Sequence, residues 1–445
     1  MNVGIIGGGA LGLSAAYQLT KLGHKPVVHE RAPFLGGQAS TFEVGGGRLE
    51  RGYHHLFWSD RYMVDLIHEL GLGPKLAWIE SKVGFFHGGR IYPFTTPMDL
   101  LRFKPLSFPN RVRAGLMTLR LQRKQYWPRE FESLTADAWM RKANKQVFDV
   151  IWGPMLRGKF GERAGEVSMA WLWGKVYLRT ASRKGTFAKE VLGYPMGSFG
   201  EVFERLEQAV RQGGGEVHYP SAVQRVVVEN GCATGLAVRL KDGREETRQF
   251  DAILSTTPSY LFPRLVPELP AEYVEKLTHI VYQAAVVVVI TLDRPLTPVY
   301  WMNIADRSIP FVALIEHTNF VDKSHYGGKH IVYLSNYLSK GSEYYNMTPE
   351  QLWQAYIPSL KKINPAFDEK WVTGYTYYKE DAAQPIIGLD YSKRIPPLQT
   401  PIKDLWLANT TQIYPEDRGT NYSVRLGRLV AKMIAGTEPV KMWWE

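Results

Sequence analysis

The clearest hydrophobic pattern lies at the start of the chain. A short apolar run from Val3 to Ile6 predicts a buried β-strand, which passes directly into a glycine-rich turn. Apolar residues between Leu13 and Leu19 then recur at helical spacing, and a second apolar run ends in the acid Glu30. The order strand, glycine turn, helix, strand and acid therefore predicts a βαβ unit.

The glycines of this turn have the spacing that binds the pyrophosphate of a dinucleotide. Gly7 permits the tight turn, Gly9 allows the backbone to approach the phosphates, and Gly12 allows the helix to pack closely on the strand. The helix start at Ala10 and Leu11 offers N–H groups and the positive end of the helix dipole to the phosphates. The acid that ends the second strand can accept hydrogen bonds from ribose hydroxyls.

The pattern along the rest of the chain predicts a second region inserted into the first. From residue 62 to about residue 183 the apolar spacing is helical, with glycine and proline interruptions. A helix that ends at Gly213 and a hairpin around residues 230–231 follow, and a final strand near Leu405 precedes the last helix. Four segments rich in Val, Ile, Tyr and Thr predict the strands of an antiparallel or mixed sheet, namely 280–292, 309–316, 330–337 and 371–378.

These elements divide into two predicted domains. Residues 1–60, 190–265 and 400–445 form a discontinuous nucleotide-binding domain of the α/β class. The inserted substrate domain is of the α+β class, with a helical cap at 61–189 and a sheet floor at 266–399. A chain of 445 residues is long enough for both domains to have a hydrophobic core.

Composition and charge narrow the class of protein. The hydrophobic content of 45% and the charged content of 22% are typical of a globular protein. The single Cys232 excludes an intramolecular disulfide and a multi-cysteine metal site, and we expect no metal site. The net charge of +11 is high, yet no nucleic-acid-binding motif accompanies it. Because no apolar stretch reaches the length of a membrane span and the first strand begins so early, we expect a cytoplasmic protein without a signal peptide.

Part of the positive charge is concentrated between residues 102 and 129, a segment that contains no acid. Val112, Leu116 and Leu119 repeat there at helical spacing, which favours a basic amphipathic helix. Such a helix can lie on an anionic membrane surface, or it can be an ordinary solvated helix beside the substrate domain. The terminal tryptophans, Trp443 and Trp444, can likewise anchor at a membrane interface or pack on the core. The basic residues of the segment are Arg102, Lys104, Arg111, Arg113, Arg120, Arg123, Lys124 and Arg129.

The segment after Glu30 distinguishes between dinucleotides. Residues 31–38 contain Gly36-Gly37 and resemble the Gly-Gly-Arg continuation of FAD enzymes of the glutathione-reductase type. More narrowly, the segment resembles the group of flavin amine oxidases, protoporphyrinogen oxidase, phytoene desaturases and UDP-galactopyranose mutase. Gln38 stands where these proteins have arginine. The resemblance implies a glutathione-reductase-type Rossmann domain with FAD as the cofactor.

The same resemblance implies further contacts to FAD. The backbone at Val223 would contact the adenine, and the helix that begins near Gly419 would face the flavin N1–C2=O region. Asn409 and Thr410 stand where relatives have Gly and Asp, so the ribityl contact of that acid is missing or is made by Thr410. The other residues expected to line the cofactor are Arg31, Gly52, Tyr53, His54, Thr256, Thr257, Arg418, Thr420 and Asn421.

The candidate catalytic residues are His54, His55 and Arg418. The two histidines stand where relatives run along the flavin ring, and in an extended loop they point in opposite directions. One of them could act as an acid or base while the other packs against the protein. Arg418 could contact the flavin or an anionic substrate, or it could form a surface ion pair with Asp417.

The candidate substrate-binding residues are Arg157, Lys159 and Tyr414. Arg157 and Lys159 lie in a stretch that resembles a cap loop of protoporphyrinogen-oxidase-like proteins, where they could meet an anionic substrate. Tyr414, together with tyrosines of the sheet floor, could line an aromatic pocket.

Three functional classes fit these features. The first is an FAD-dependent oxidoreductase or desaturase that takes a hydride equivalent from a hydrophobic, isoprenoid- or tetrapyrrole-like substrate, which could be anionic. The second is an amine oxidase, although the sequence does not locate the lysine and aromatic pair that such an enzyme needs. The third is a non-redox flavin enzyme that acts on a nucleotide sugar, as UDP-galactopyranose mutase does. In each case the partner is a small molecule, and the oligomeric state stays open.

Overall fold

The computed structural model describes residues 1–123, 129–181 and 190–442. Lys124 of the basic segment and the terminal Trp443 and Trp444 lie outside the described residues. The strands are β1 Asn2–Ile6, β2 Lys25–His29, β3 Thr41–Val44, β4 Gly47–Glu50, β5 Leu76–Glu80, β6 Val83–His87, β7 Arg90–Pro93, β8 Val191–Pro195, β9 Glu216–His218, β10 Ala222–Glu229, β11 Cys232–Arg239, β12 Glu245–Gln249, β13 Ala252–Ser255, β14 Tyr282–Leu292, β15 Trp301–Ile304, β16 Ala313–Glu316, β17 His330–Leu338, β18 Val372–Pro385 and β19 Leu405–Leu407. The helices are α1 Ala10–Lys21, α2 Arg61–Glu69, α3 Pro97–Arg102, α4 Phe108–Gln122, α5 Ala136–Val147, α6 Gly153–Phe160, α7 Met169–Ala181, α8 Ser198–Gln212, α9 Phe262–Leu265, α10 Ala271–Thr278, α11 Glu343–Asn346, α12 Pro349–Ile363 and α13 Thr420–Ile434.

The first layer is a five-stranded parallel sheet in the order β19-β13-β1-β2-β9. Its strands come from distant parts of the chain, because the sheet is completed only by the last strand. Side chains alternate across it, as the strand period requires. Val3 and Ile5 of β1 pack with the helices α1, α8 and α13, while Ile6 packs with the three-stranded sheet β10-β11-β12. The α/β class expected from the sequence is confirmed.

The second layer is a seven-stranded mixed sheet in the order β18-β14-β17-β16-β15-β6-β7. All neighbours are antiparallel except β15 and β6, which run parallel. On one face Val286 and Val288 pack against α12, and on the other face Ala285 and Val287 line a cavity. The four predicted strand segments all contribute to this sheet.

The structure of residues 61–189 differs from the expected helical cap, because it also contains the strands β5, β6 and β7. Helix α2 packs against α13 and belongs to the first layer, and the chain then supplies β6 and β7 to the mixed sheet. A tight turn joins these two strands, with Gly88 and Gly89 in the left-handed region at φ +59° and +73°. The helical cap therefore consists of α3 to α7, with a π-helical turn at Phe148–Trp152 between α5 and α6.

Helix α13 packs very closely against α1. A Cβ atom at Gly427 would lie 2.4 Å from the carbonyl oxygen of Leu11 and 3.1 Å from the backbone nitrogen of Ala15. Only a glycine permits two helix backbones to approach this closely. The middle of α13 is thereby fixed against the first turns of α1, which directly follow the glycine-rich turn.

We expect Gly427→Ala to destabilise the protein by about 1–3 kcal/mol, because the added methyl group forces the two backbones apart. The thermal unfolding midpoint of the purified protein measures this loss. Gly115→Ala is the matched control, since Gly115 also lies within a helix, α4, but a Cβ there meets only Leu100 Cδ2 at 4.0 Å. The control should be neutral or stabilised by up to about 1 kcal/mol. Equal midpoints for the two variants would contradict the close approach.

Candidate functional site

The protein's own atoms leave no room for a side chain at Gly7 or Gly12 of the glycine-rich turn, whereas the space beside Gly9 is open. A Cβ at Gly7, whose φ is +111°, would lie 2.3 Å from Thr256 Oγ1, and one at Gly12 would lie 2.0 Å from the Gly7 carbonyl oxygen. At Gly9 the nearest atom is Gly37 Cα, at 3.8 Å. The protein itself thus tolerates a Cβ atom at Gly9, which is the position where the backbone of such a turn approaches the pyrophosphate.

Glu30 and the Gly36-Gly37 pair complete this cradle. The Glu30 carboxylate accepts hydrogen bonds from the backbone N–H groups of Gly8, at 2.8 Å, and Ala32, at 2.7 Å. The N–H of Gly36 donates to the Gly8 carbonyl at 2.9 Å, and both glycines of the pair have a positive φ. Glu30 therefore fixes the loop and retains lone pairs for ribose hydroxyls.

The return segment after β19 uses Asn409 as an internal link. Its side-chain oxygen accepts from the N–H of Thr411 at 2.9 Å, and its amide nitrogen donates to the Thr257 carbonyl at 2.8 Å. Asn409 is buried, and these bonds occupy its side chain. Thr410 beside it is only partly buried, so both alternatives stay predictions: the ribityl contact is missing or is made by Thr410.

The cradle fits the pyrophosphate and ribose of FAD. Among the described residues no side chain caps α1 at Gly9, so the first N–H groups of the helix remain available to phosphate oxygens. Arg31 is exposed at the end of β2, and Val223 lies beside a bulge in the pairing of β10 with β11. Both remain predicted contacts.

A cavity of about 520 Å³ lies between the loop at 51–57, the cap helices α6 and α7, the mixed sheet and the start of α13. It adjoins the cradle at Gly37. Several aromatic side chains form its walls: Trp152, Trp171, Tyr300, Trp301, Tyr337 and Tyr378. The sequence-predicted residues that line it are Gly37, Gln38, Gly52, Tyr53, His54, His55, Lys159, Arg418, Gly419, Thr420 and Asn421.

The two histidines face different neighbours but both line this cavity. His54 Nδ1 lies 2.6 Å from the Gly52 carbonyl oxygen, which can only accept, so Nδ1 carries the proton and Nε2 is free to accept. His55 Nδ1 lies 2.9 Å from the Tyr300 hydroxyl. Burial lowers the pKa of His54 to about 4 and that of His55 to about 3. Both are neutral at pH 7, and their catalytic role stays a prediction.

Arg418 is held by neutral partners. Its guanidinium donates to Tyr337 Oη at 2.9 Å and to the side-chain oxygens of Gln38 and Gln384 at 3.2 Å each. Burial alone lowers the pKa of Arg418, but nearby Tyr337 and Asp417 raise it above its ordinary value. The side chain is therefore a fully charged group on the cavity wall. Gln38, which replaces the arginine of the family motif, instead orients this arginine.

Asp417 pairs with two lysines rather than with Arg418. Its Oδ2 atom accepts from Lys159 and, at 2.7 Å, from Lys175, and its Oδ1 atom accepts from Trp171 Nε1 at 3.3 Å. Although burial raises the pKa of Asp417, the two ammonium groups hold it far below its ordinary value. Sequence reasoning missed Lys175. The available signal was its position four residues after Trp171 on α7, which places both side chains on one helix face.

Two predicted substrate contacts are wrong. Residues 153–160 form helix α6 instead of a loop, so Arg157 and Lys159 cannot face the same way; Lys159 lines the cavity, and Arg157 lies near Arg307. Tyr414 is fully buried in the core of the cap, where its hydroxyl donates to Glu132 at 3.0 Å. It is not among the residues that line the cavity.

The parallel sheet, the glycine cradle and the adjoining cavity define a dinucleotide-binding enzyme. The model of the family described as flavin containing amine oxidoreductase matches residues 12–410, so the chain belongs to this family. The description of this family is that of flavin-containing oxidoreductases.

Curated relatives include the 15-cis-phytoene desaturases of Glycine max and Capsicum annuum. The chain is 25% identical to the first over 393 residues, which are 82% of this chain and 66% of that protein. It is 25% identical to the second over 391 residues, 82% of this chain and 65% of that protein. The chain thus spans slightly less than two thirds of the length of these relatives.

Solved structures share the fold. A putative protoporphyrinogen oxidase from Exiguobacterium superposes with a TM-score of 0.76 at 17% identity, covering 98% of this chain and 99% of that one. Reduced UDP-galactopyranose mutase gives a TM-score of 0.75 at 17% identity, covering 98% and 96%. At this identity the likeness shows the fold alone.

We expect the purified protein to be yellow and to release FAD on denaturation, because the cradle fits the pyrophosphate and ribose of FAD and the family is flavin-containing. Glu30→Ala should weaken FAD binding by about 1.5–3 kcal/mol, the value of hydrogen bonds to a charged acceptor. Titration of the apoprotein with FAD measures the loss. The control Glu245→Ala removes an exposed acid at the start of β12 and should bind as the wild type does. Colourless protein that takes up only NAD would contradict the assignment of the cradle.

Proposed function

We propose that this oxidoreductase is a desaturase that removes a hydride equivalent from a hydrophobic substrate of the isoprenoid or tetrapyrrole type. The observation that carries the proposal is the aromatic and aliphatic wall of the cavity beside the start of α13. The similarity to phytoene desaturases over most of the chain supports it. The bound FAD would supply the hydride acceptor.

The aromatic wall can hold a hydrocarbon and exclude water. Tyr53 packs edge to face against Trp301, with 4.8 Å between the ring centroids. Trp301 and Tyr300 both contact His55. Rings packed edge to face in this way have few free rotamers and bury a large apolar area. They would fix the substrate without ionic contacts along most of its length.

Arg418 would complement the negative charge that develops at the flavin edge during hydride transfer. It directly precedes Gly419, where α13 begins, and among the described residues no side chain caps this helix start. The fixed guanidinium and the helix dipole would therefore act in the same direction. Gln38, Gln384 and Tyr337 would hold the charge in place without neutralising it.

An amine substrate fits this cavity less well. Lys159, Lys175 and Arg418 all line it, and each repels a protonated amine. A hydrocarbon, or a hydrocarbon with an anionic end, meets no such repulsion.

The cap carries an exposed apolar surface that we call the α3–α4 face. Its members are Met98, Leu101, Phe108, Val112, Leu116 and Leu119. Phe108 is 64% exposed and Leu116 is 59% exposed, whereas Ala114 and Leu121 on the other side of α4 are buried. The apolar stripe predicted for this helix therefore faces solvent instead of the core. Soluble surfaces rarely expose contiguous apolar side chains, which mark contact sites.

Positive charge surrounds the α3–α4 face. Arg102, Lys104, Arg113, Arg120 and Arg123 are exposed around it. Among the described helices none is long and apolar enough to cross a bilayer. The combination of apolar side chains and flanking cations complements an anionic lipid surface, from which a hydrophobic substrate could enter. We propose that the face docks on such a surface.

Anaerobic mixing with candidate substrates tests the chemistry. Isoprenoid hydrocarbons or reduced tetrapyrroles should bleach the oxidised flavin absorbance of the holoprotein, because their C–H bonds supply the hydride. A primary alkylamine should leave the flavin oxidised. Bleaching by the amine alone would contradict the proposal and assign the protein as an amine oxidase.

Flotation with anionic vesicles tests the docking surface. The protein should co-float at low salt and be released at high salt, because each basic side chain near an anionic surface contributes about 1 kcal/mol that salt screens. The double variant Phe108→Asn, Leu116→Asn should lose co-flotation. Leu134→Asn replaces a leucine of comparable exposure outside the face and is the control. Wild-type protein that stays unbound at low salt would exclude this surface as a docking site.

A further inference from the structure

The cluster of Lys159, Lys175 and Asp417 places two ammonium groups on one carboxylate. Lys159 comes from α6, Lys175 from α7 and Asp417 from the segment before α13. The side chains of Lys159 and Asp417 are only 17% and 11% exposed, and both ammonium groups bind the same oxygen atom, Oδ2. Trp171 donates to the other oxygen, so the carboxylate is fully engaged. All four residues line the cavity.

The charges around this cluster do not cancel. Arg418 adds a third positive charge, and its hydrogen-bond partners are neutral. Asp60 faces Lys175 and accepts a hydrogen bond from the N–H of Phe57; burial raises the pKa of Asp60 to about 6, so it is mostly ionised at pH 7. When Lys159 is protonated, positive charge exceeds negative charge in the cavity lining, even with Glu380 acting on Arg418. The lining cations are Arg51, Lys159, Lys175, Arg179, Lys379 and Arg418, and the lining carboxylates are Asp60, Glu190, Glu380 and Asp417. Because an unpaired buried charge is costly, the cluster gains stability from one further negative charge.

We propose that Lys159 and Lys175 bind the carboxylate or phosphate end of the substrate, with Asp417 as the positioning residue that holds both ammonium groups. The inference rests on the proposed function, since it assumes that the hydrocarbon part of the same molecule occupies the aromatic part of the cavity. A charge-assisted hydrogen bond to each lysine would fix one end of the substrate. The bound carboxylate or phosphate would then determine the position of the hydrocarbon along the cavity.

Binding at this subsite should take up a proton. Burial, together with the nearby charges of Lys175 and Arg418, lowers the pKa of Lys159 to about 7 against the opposing effect of Asp417. At pH 7 a substantial fraction of Lys159 is therefore neutral in the free protein. An anion favours the charged form, so binding raises this pKa. Affinity should be greatest below pH 7 and should fall as the pH rises, with a limit of tenfold per unit.

Binding of a matched series of probes to the FAD-loaded protein tests the inference. The series is octanoate, octyl phosphate, octanol and octylamine, which share one chain and differ in the end group. At about pH 6 the two anions should bind about 10- to 100-fold more tightly than octanol, the range given by one or two charge-assisted hydrogen bonds. Calorimetry in two buffers of different ionisation enthalpy should show proton uptake near pH 7.

Variants separate the subsite from general charge. Lys159→Met and Lys175→Met should each reduce the preference for anions, and Lys159→Met should reduce proton uptake to the part that comes from Asp60. Lys145→Met is the control, because Lys145 is exposed and pairs with Asp149 on the outside of the cap. Unchanged flavin absorbance and unfolding midpoint show that a variant is folded.

The outcomes distinguish this inference from the proposed function. Equal binding of octanoate and octanol, or unchanged preference in both lysine variants, would overturn the subsite even if hydrocarbons reduce the flavin. Preference for octylamine would also overturn it. Tight, Lys159-dependent binding of uridine diphosphate together with no binding of alkyl probes would support an anion subsite but refute the hydrophobic substrate.

Discussion

The close contact between α1 and α13 is the constraint on which the site depends. Gly427 allows the last helix to lie against the backbone of Leu11, so the end of the chain meets its beginning. Asn421 then accepts a hydrogen bond from the Met63 N–H at 3.1 Å, which ties α13 to α2 as well. Because these contacts fix the helix start, the residues immediately before it reach the cavity with little freedom. The cavity wall formed by the start of α13 therefore depends on this helix crossing.

Two neighbouring residues before that helix have opposite electrostatic surroundings. Two ammonium groups bind the single carboxylate of Asp417. Arg418 donates hydrogen bonds only to neutral side chains, and among the described residues none of its hydrogen-bond partners is a carboxylate. Adjacent side chains of an extended segment point to different sides, so the chain can present one to the cap and the other to the sheet. Gln38 is part of the same arrangement of charges and hydrogen bonds. An arginine there would face Arg418, and glutamine accepts from it instead.

Local patterns predicted the first layer well, because its signals are short in sequence. The glycine turn, α1 and the hairpin at residues 230–231 each depend on neighbouring residues, and the structure has all of them. The pairing of β6 with β15 was not predictable in this way, since it joins segments separated by more than two hundred residues. Its one local sign was the pair of glycines at 88–89 between two apolar runs.

Errors at the site have equally specific causes. A loop would allow Arg157 and Lys159 to face the same way, but the helix separates residues two positions apart by more than half a turn. The residue type of Tyr414 suits an aromatic pocket, but its apolar neighbours place it in the cap core. Burial depends on the complete fold, so a single residue type does not reveal it.

The cap helices connect the exposed α3–α4 face with the buried lysine cluster. Helix α4 packs on α7, and Trp173 of α7 donates to the Leu121 carbonyl of α4 at 3.2 Å. The opposite side of α7 carries Trp171 and Lys175 into the cavity. The α3–α4 face and the lysine cluster therefore lie on two sides of one helical layer.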